Sequence, residues 1–158
     1  MNKIISFKKR KIDEWFNNQY IEFLKTQLIK TIHSSESDKF KKYEHVFYEI
    51  KKVLNNDSNK IKRFLQEPIQ YRSGPRSFLS IACSEDLAIV KSLVNAGADL
   101  NGIEQEDCKP LHSAIVDGTT EIAEFLIKQE GIDVKCRDKD KTTPLHLAVQ
   151  KDKKGLID

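Results

Sequence analysis

Apolar residues recur at intervals of three and four along the first part of the chain and predict amphipathic helices. A long helix is predicted from about Ile12 to Ile32, with an apolar face formed by Ile12, Trp15, Phe16, Tyr20, Phe23, Leu24, Leu28 and Ile32. A second helix is predicted from about Asp38 to Leu54, its apolar face formed by Phe40, Tyr43, Phe47, Ile50, Val53 and Leu54. A third, from about Asn59 to Gln66, ends before Pro68 and presents Ile61, Phe64 and Leu65.

The second half of the chain contains a short pattern that recurs. Its copies are Ser77–Ala82, Lys109–Ala114 and Thr143–Ala148, and the last copy reads Thr-Pro-Leu-His-Leu-Ala. The spacing is 32 residues from Leu79 to Leu111 and 34 from Leu111 to Leu145. A period of about 33 residues is typical of a solenoid built from stacked helical units.

Each of the first two copies is followed by a second apolar segment and a glycine. Ile89–Val94 precedes Gly97, and Glu121–Ile127 precedes Gly131. Glycine suits the left-handed turn that ends a helix, and Thr-Pro suits the start of one. The pattern therefore predicts repeated pairs of short helices.

These residues resemble the ankyrin repeat family, closely over residues 77–158 and loosely over residues 43–76, where Lys60–Leu65 occupies the place of a second helix. The resemblance implies an all-α fold, an ankyrin-repeat solenoid behind an N-terminal helical segment. We expect a helical segment at 1–42, a degenerate repeat or cap at 43–76, and repeats at 77–108, 109–141 and 142–158. The last unit stops where its second helix is due, which favours a fragment of a longer protein.

The resemblance also implies a non-catalytic module that binds a partner protein, with no cofactor. Ankyrin proteins usually bind through the loop tips between repeats and the concave face of the first helices. At the tips the implied partner-binding residues are Ile103, Glu104, Gln105, Glu106, Asp107, Arg137, Asp138, Lys139 and Asp140. At the ends of the first helices they are Val116, Asp117, Gln150 and Lys151.

Candidate chemistry does not change this interpretation. His112 and His146 occupy one repeat position, where the family places a histidine that hydrogen-bonds backbone between adjacent repeats. A zinc site with Cys108 and Cys136 is the alternative, but no Cys-x-x-Cys or His-x-x-x-His pair supports it. Gly-x-Ser-x-Gly, Gly-x-x-x-x-Gly-Lys and His-Glu-x-x-His are absent, so we predict that the chain is not an enzyme.

Charge divides the chain and leaves one alternative function open. Residues 1–76 carry 17 Lys/Arg against 9 Asp/Glu, whereas residues 77–158 carry 10 against 15, which supports a boundary near Gly74-Pro75. The run Lys8–Lys11 fits a solvated lead-in to the first helix or a targeting signal. The basic N-terminal helices keep nucleic-acid or anionic-membrane binding as the alternative to protein binding.

Composition indicates the compartment. No apolar run approaches the roughly 18 residues of a membrane span, and Ile4–Phe7 is too short for a signal peptide. Three irregularly spaced cysteines favour a reducing, cytoplasmic setting, with export into a host cell as a further option. The many Lys, Asn and Ile residues resemble ankyrin proteins of intracellular bacteria or AT-rich protists, some of which act as effectors on host proteins.

Overall fold

The computed structural model describes residues 18–71, 74–102 and 105–152. The helices are α1 (described over residues 18–32), α2 (Lys39–Val53), α3 (Ser58–Gln66), α4 (Phe78–Cys83), α5 (Leu87–Asn95), α6 (Pro110–Val116), α7 (Thr120–Ile127) and α8 (Pro144–Gln150). Strands β1 (Ile69–Tyr71) and β2 (Gly74–Arg76) form an antiparallel hairpin. The chain consists of two compact units, Met1–Asp57 and Ser58–Asp158. The predicted domain limits at 42/43 and 76/77 stay predictions.

Helix α1 of the first unit buries a narrower face than the sequence predicted. Leu24, Leu28 and Ile32 are at most 4% exposed, whereas Tyr20 is 43% and Phe23 55% exposed. Phe23 precedes Leu24 by one position, which turns it about 100° around the helix and away from the buried line. Phe23 therefore lies at the edge of the predicted apolar face, beside the buried line. The predicted face residues Ile12, Trp15 and Phe16 lie outside the described part of the chain.

Helix α2 has nearly the predicted limits. Tyr43, Phe47 and Ile50 are buried, and the rings of Tyr43 and Phe47 stack with their centroids 5.5 Å apart. The helix ends before Asn55 and Asn56, which have left-handed backbone angles of φ 55° and 54°. Asparagine tolerates this conformation better than most residues, so the predicted break at this point has a local cause.

The second unit is built from helix pairs that stack in two layers. Helix α4 packs on α5 and α6 packs on α7 within the pairs. Across pairs, α4 packs on α6 and α6 on α8, while α5 packs on α7. First helices therefore form one layer and second helices the other, which confirms the predicted all-α solenoid.

Small residues at equivalent positions let the layers approach closely. Ala82, Ala114 and Ala148 are at most 1% exposed. Every residue of α4 is buried, and the ring of Phe78 stacks on Phe64 of α3 with centroids 5.3 Å apart. The core of the unit thus runs from α3 through α4 to α6.

The starts of the first helices follow from local sequence. Ser77 accepts a hydrogen bond from the backbone N–H of Ser80 at 3.1 Å, and Thr143 caps α8 in the same way. Pro110 and Pro144 occupy the first turn of α6 and α8, where a missing N–H costs nothing. These features confirm the predicted helix starts.

Two kinds of position require glycine. Gly97 and Gly131 lie in the turns after α5 and α7 with φ of 88° and 82°, as the sequence predicted. Gly118, in the turn between α6 and α7, has a different reason. A Cβ there would lie 2.3 Å from the carbonyl oxygen of Cys83, in the preceding repeat. In the described part of the chain, no helix combines the length and apolarity needed to cross a membrane.

Candidate functional site

Two loop tips precede the first helices of successive repeats. The first tip is residues 103–107 and the second is residues 137–140. Ile103 and Glu104 lie outside the described residues, as does the side chain of Gln105. The described part of the first tip is a short 3-10 turn, in which Glu106 and Asp107 adopt left-handed φ of 63° and 58°. The side chains of Glu106 and Asp107 are both exposed.

The structure joins the two tips. The backbone N–H of Lys139 donates to the carbonyl of Glu106 at 2.8 Å, and the Lys139 ammonium contacts the Glu106 carboxylate at 2.7 Å. The hydrogen bond to Glu106 raises the pKa of Lys139 above its ordinary value. Because these two predicted binding residues contact each other by backbone and side chain, the tips form one continuous surface.

Asp138 shapes the second tip from within. Its Oδ1 accepts hydrogen bonds from the backbone N–H groups of Asp140 at 3.0 Å and Thr142 at 2.8 Å. Carboxylates often stabilise turns in this way. Its predicted neighbours Arg137 and Asp140 are exposed. Asp138 therefore sets the turn from which these two side chains project.

The remaining predicted binding residues lie at the other end of the same helices. Val116 is the last residue of α6 and Asp117 follows it, while Gln150 is the last residue of α8 and Lys151 follows it. All four are exposed. A seven-residue helix is about 10 Å long, so these residues and the loop tips stand at opposite ends of α6 and α8. The structure thus groups the predicted residues into two sets.

His112 is buried between repeats. Its Nδ1 accepts the backbone N–H of Lys109 at 3.1 Å, and both ring nitrogens lie 3.9 Å from the Cys136 sulfur. Burial lowers the pKa of His112, and a hydrogen bond with the backbone of Thr142 opposes that shift. The contact with Thr142 is the predicted link to the next repeat. His146, at the same position of the last repeat, is exposed and contacts Thr143.

Cys136 is a buried thiol that lies against the His112 ring. Burial raises the pKa of the Cys136 thiol above its ordinary value. The reactive form of cysteine is the thiolate, so a buried thiol with a raised pKa is a weak nucleophile. Across the described ranges, His, Cys, Asp and Glu side chains form no group of three that could hold a metal ion.

Sequence reasoning missed a bridge between the exit turns of two repeats. The Asn101 amide donates to the carbonyl of Gly131 at 2.7 Å and accepts the backbone N–H of Asp133 at 2.9 Å. The Lys109 ammonium also contacts the Asp133 carboxylate at 3.1 Å, and this hydrogen bond lowers the pKa of Asp133. The sequence signal that could have indicated this bridge is the recurrence of the same exit turn, once at Gly97 and again at Gly131.

A second missed cluster joins the hairpin to two first helices. The Ser80 and Ser113 hydroxyls lie 2.8 Å apart, and the Arg76 guanidinium lies 3.5 Å from each. Ser80 is fully buried. Buried hydroxyls need partners, so this cluster fixes how β2, α4 and α6 meet. The basic run Lys8–Lys11 lies outside the described residues.

Known proteins are similar to this chain in sequence. The sequence profile described as ankyrin repeats (3 copies) matches residues 50–138 and 78–157, together more than half of the chain. An ankyrin repeat protein of Acanthamoeba polyphaga mimivirus is 27% identical over an alignment of 173 residues, covering 98% of this chain and 24% of that protein. Delta-latroinsectotoxin-Lt1a of Latrodectus tredecimguttatus is 33% identical over 67 residues, 42% of this chain and 6% of the toxin.

The chain thus spans about a quarter of the length of the viral relative and a much smaller part of the toxin. The stacked helix pairs of the second unit agree with the all-α repeat solenoid of this family. Ankyrin repeats are in general protein–protein interaction modules, and the family is typically non-catalytic. This chain belongs to the ankyrin repeat family.

Proposed function

We propose that this chain is a non-catalytic adaptor that binds a partner protein through its two loop tips and the concave surface of its first helices. The observation that carries the proposal is the double contact of Lys139 with Glu106, by backbone and by side chain. A surface that is ordered before binding loses less conformational entropy when a partner arrives. The joined tips therefore suit recognition better than two independent loops would.

Charge indicates the character of the partner. The exposed charges of the tips are Asp107 on the first and Arg137 and Asp140 on the second, two carboxylates against one guanidinium, while Glu106 and Lys139 pair with each other. Exposed carboxylates around an interface favour a partner with positive potential and disfavour one with negative potential. We expect the tips to contact a basic surface of the partner protein.

The ends of the first helices extend this surface. Val116 is 37% exposed and stands beside the exposed Asp117, and Gln150 and Lys151 occupy the equivalent place on α8. An exposed apolar residue beside a polar one is compatible with an interface that has an apolar core and a polar rim. We expect a large partner to reach from the tips along α6 and α8 to these residues.

The setting we propose is intracellular. No disulfide joins Cys83, Cys108 and Cys136 in the described residues, and Cys83 and Cys136 are buried. Cysteines without disulfides are typical of a reducing compartment. The expected effector role stays a prediction, which the identity of the captured partner tests.

The test is affinity capture with the whole chain at physiological salt, with and without nuclease. The variant combines Asp107→Lys with Asp140→Lys, because Glu106 and Asp138 also hold the tips in shape. The matched control combines Glu44→Lys with Glu130→Lys, which makes the same charge change at exposed positions of α2 and of the turn after α7. Circular dichroism confirms that both variants are folded.

We expect a discrete protein that survives nuclease, is lost with the tip variant and is retained by the control. Capture that is unaffected by the tip variant would contradict the assignment of the surface. Capture that nuclease abolishes would move the function to nucleic-acid binding by the basic N-terminal part of the chain.

A further inference from the structure

Helix α2 of the first unit carries a row of exposed side chains opposite its buried face. The row consists of Lys41, His45, Tyr48 and Lys52, which recur at intervals of four, three and four residues. At about 100° per residue, these intervals place all four within about 60° of one another around the helix. Each residue advances the helix by about 1.5 Å, so the row is about 16 Å long. These four residues are called the α2 row below.

The lysines of α2 differ in what surrounds them. Lys42 pairs with the carboxylates of Glu36 and Asp38. Within the described ranges of the chain, Lys41 and Lys52 form no ion pair. The two lysines at the ends of the α2 row therefore keep their charge available for an anion from outside the chain.

Tyr48 lies between these lysines and is 61% exposed. Two other rings of α2, Tyr43 and Phe47, are buried and stack on each other with their centroids 5.5 Å apart. By contrast, no ring of the described residues stacks on Tyr48. The α2 row thus places one accessible aromatic ring between two unpaired cations.

This arrangement has the chemistry that binds single-stranded nucleic acid without sequence preference. In such sites cationic side chains contact the phosphates, and an unpaired base stacks on the aromatic ring. A duplex would meet the same lysines, but its bases are stacked inside it and do not reach Tyr48. A membrane surface also attracts lysines, yet helices that lie on membranes bury an apolar face there. The apolar face of α2 is already buried, and the α2 row offers a single aromatic ring in its place.

We propose that the α2 row binds single-stranded nucleic acid, with Lys41 and Lys52 on phosphates and Tyr48 stacked on a base. His45 is exposed between Lys41 and Tyr48 and offers a ring N–H to the same phosphates. Glu44, an exposed carboxylate three residues after Lys41, borders the row and opposes the anion. This function is separate from protein binding by the loop tips, because it uses other residues in the other unit.

The test follows binding of the full chain to a fluorescein-labelled strand of about 12 thymidines, by fluorescence anisotropy at several salt concentrations. An oligouridine of the same length tests RNA, and a DNA duplex and vesicles containing phosphatidylserine are the alternative ligands. We expect both single strands to bind. Their affinity should exceed that of the duplex by at least about fivefold, because only an unpaired base stacks on Tyr48.

Substitutions separate the roles of the ring and the charges. Tyr48→Ala should weaken binding of the thymidine strand by about tenfold without changing its salt dependence, whereas Tyr48→Phe keeps the ring and should retain binding. Lys41→Gln combined with Lys52→Gln removes two phosphate contacts. This should lower the slope of log affinity against log salt concentration by about 1.4. Glu44→Gln should tighten binding by about twofold, because it removes a like charge beside the phosphates.

Matched variants control for each change. Phe23→Ala is the aromatic control, since Phe23 is 55% exposed on α1. Lys128→Gln combined with Lys135→Gln is the charge control, at exposed positions of the second unit. Neither control should change the affinity for the strand by more than about twofold. Circular dichroism and the melting temperature establish that every variant is folded.

Several results would overturn the proposal. Absence of binding by both single strands at low salt would show that the α2 row takes no nucleic acid. Unchanged affinity in Tyr48→Ala, or a duplex that binds as tightly as the strands, would refute stacking on Tyr48. An unchanged salt slope without Lys41 and Lys52 would place the phosphate contacts elsewhere in the chain. Binding to the vesicles alone, lost with the same two lysines, would assign the row to a membrane surface.

Discussion

Replacing Gly118 by alanine is expected to destabilise the repeat unit, although the change adds a single methyl group. The added Cβ would lie 2.3 Å from the carbonyl oxygen of Cys83 and 2.6 Å from that of Ala114. Ordinary contacts of a Cβ begin near 3.4 Å, so α6 and the preceding repeat must separate by about 1 Å. Both obstructing atoms belong to the backbone, which cannot move aside as a flexible side chain does.

Overpacking of this kind costs about 1–3 kcal/mol of the free energy of unfolding. For a unit of this size, each kcal/mol lowers the melting temperature by about 4–8 °C, so a loss of about 5–20 °C is expected. The assay is urea unfolding followed by circular dichroism, with the free energy extrapolated linearly to water. If the slope of the unfolding free energy against urea concentration is unchanged, the substitution changed the stability and did not change the unfolded state.

Two other glycines separate crowding from backbone conformation. Gly102→Ala is the matched control, because the nearest atom to its added Cβ is Asp99 Oδ2 at 3.6 Å, and we expect no destabilisation. At Gly131 nothing lies within 4 Å, but φ is +82°, so alanine costs about 1–2 kcal/mol by conformation alone. If Gly118→Ala melts within about 1 °C of the unchanged chain, the inferred close approach of the repeats is refuted.

Three further substitutions test local features of the repeats. Asp86→Ala removes an N-cap side chain that accepts hydrogen bonds from two backbone N–H groups of α5, and should lower the free energy of unfolding in urea by about 1 kcal/mol. The control Thr119→Ala should lower it much less, because the Thr119 side chain makes no cap hydrogen bond. Burial holds the pKa of His112 in the folded chain below its ordinary value of 6.5, so the unfolded chain takes up the proton at a higher pH than the folded chain does. The contribution of neutral His112 to stability is therefore fully present above pH 6.5 and is lost as the pH falls from 6.5 through the lower pKa of the folded chain. Urea unfolding at several pH values should show a weaker pH dependence for His112→Gln, and an equal one would contradict this role. Asn101→Ala opens the bridge between exit turns and should cost about 1 kcal/mol. It should also speed hydrogen exchange of the Asp133 backbone amide, which donates to Asn101. An unchanged exchange rate would show that the bridge does not protect this amide.

Features with local causes were predictable from the sequence. The starts of α6 and α8 follow from Pro110 and Pro144. The turns after α5 and α7 follow from Gly97 and Gly131. Helix α3 was predictable because its three apolar residues occupy one face. It was predicted to begin at about Asn59 and begins at Ser58. In each case a few adjacent residues determine the backbone.

Features that depend on distant residues were not predictable in the same way. The strands β1 and β2 have three residues each, too few to show an alternating pattern. The contact of Lys139 with Glu106 joins residues 33 positions apart, and charge alone does not pair these two among many exposed ions. The exposure of Phe23 depends on which side of α1 is covered. Periodicity locates an apolar face but does not determine how wide its buried part is.

The stacking of α4 on α6 and of α6 on α8 has a consequence for folding kinetics. These contacts join helices of adjacent repeats, so each of them closes a loop of about one repeat. Proteins dominated by such local contacts fold fast, and in stacked repeats folding can begin at any one interface and spread to its neighbours. Folding of residues 58–152 is therefore expected to have several parallel starting points. A substitution at one interface would redirect the order of events without stopping them.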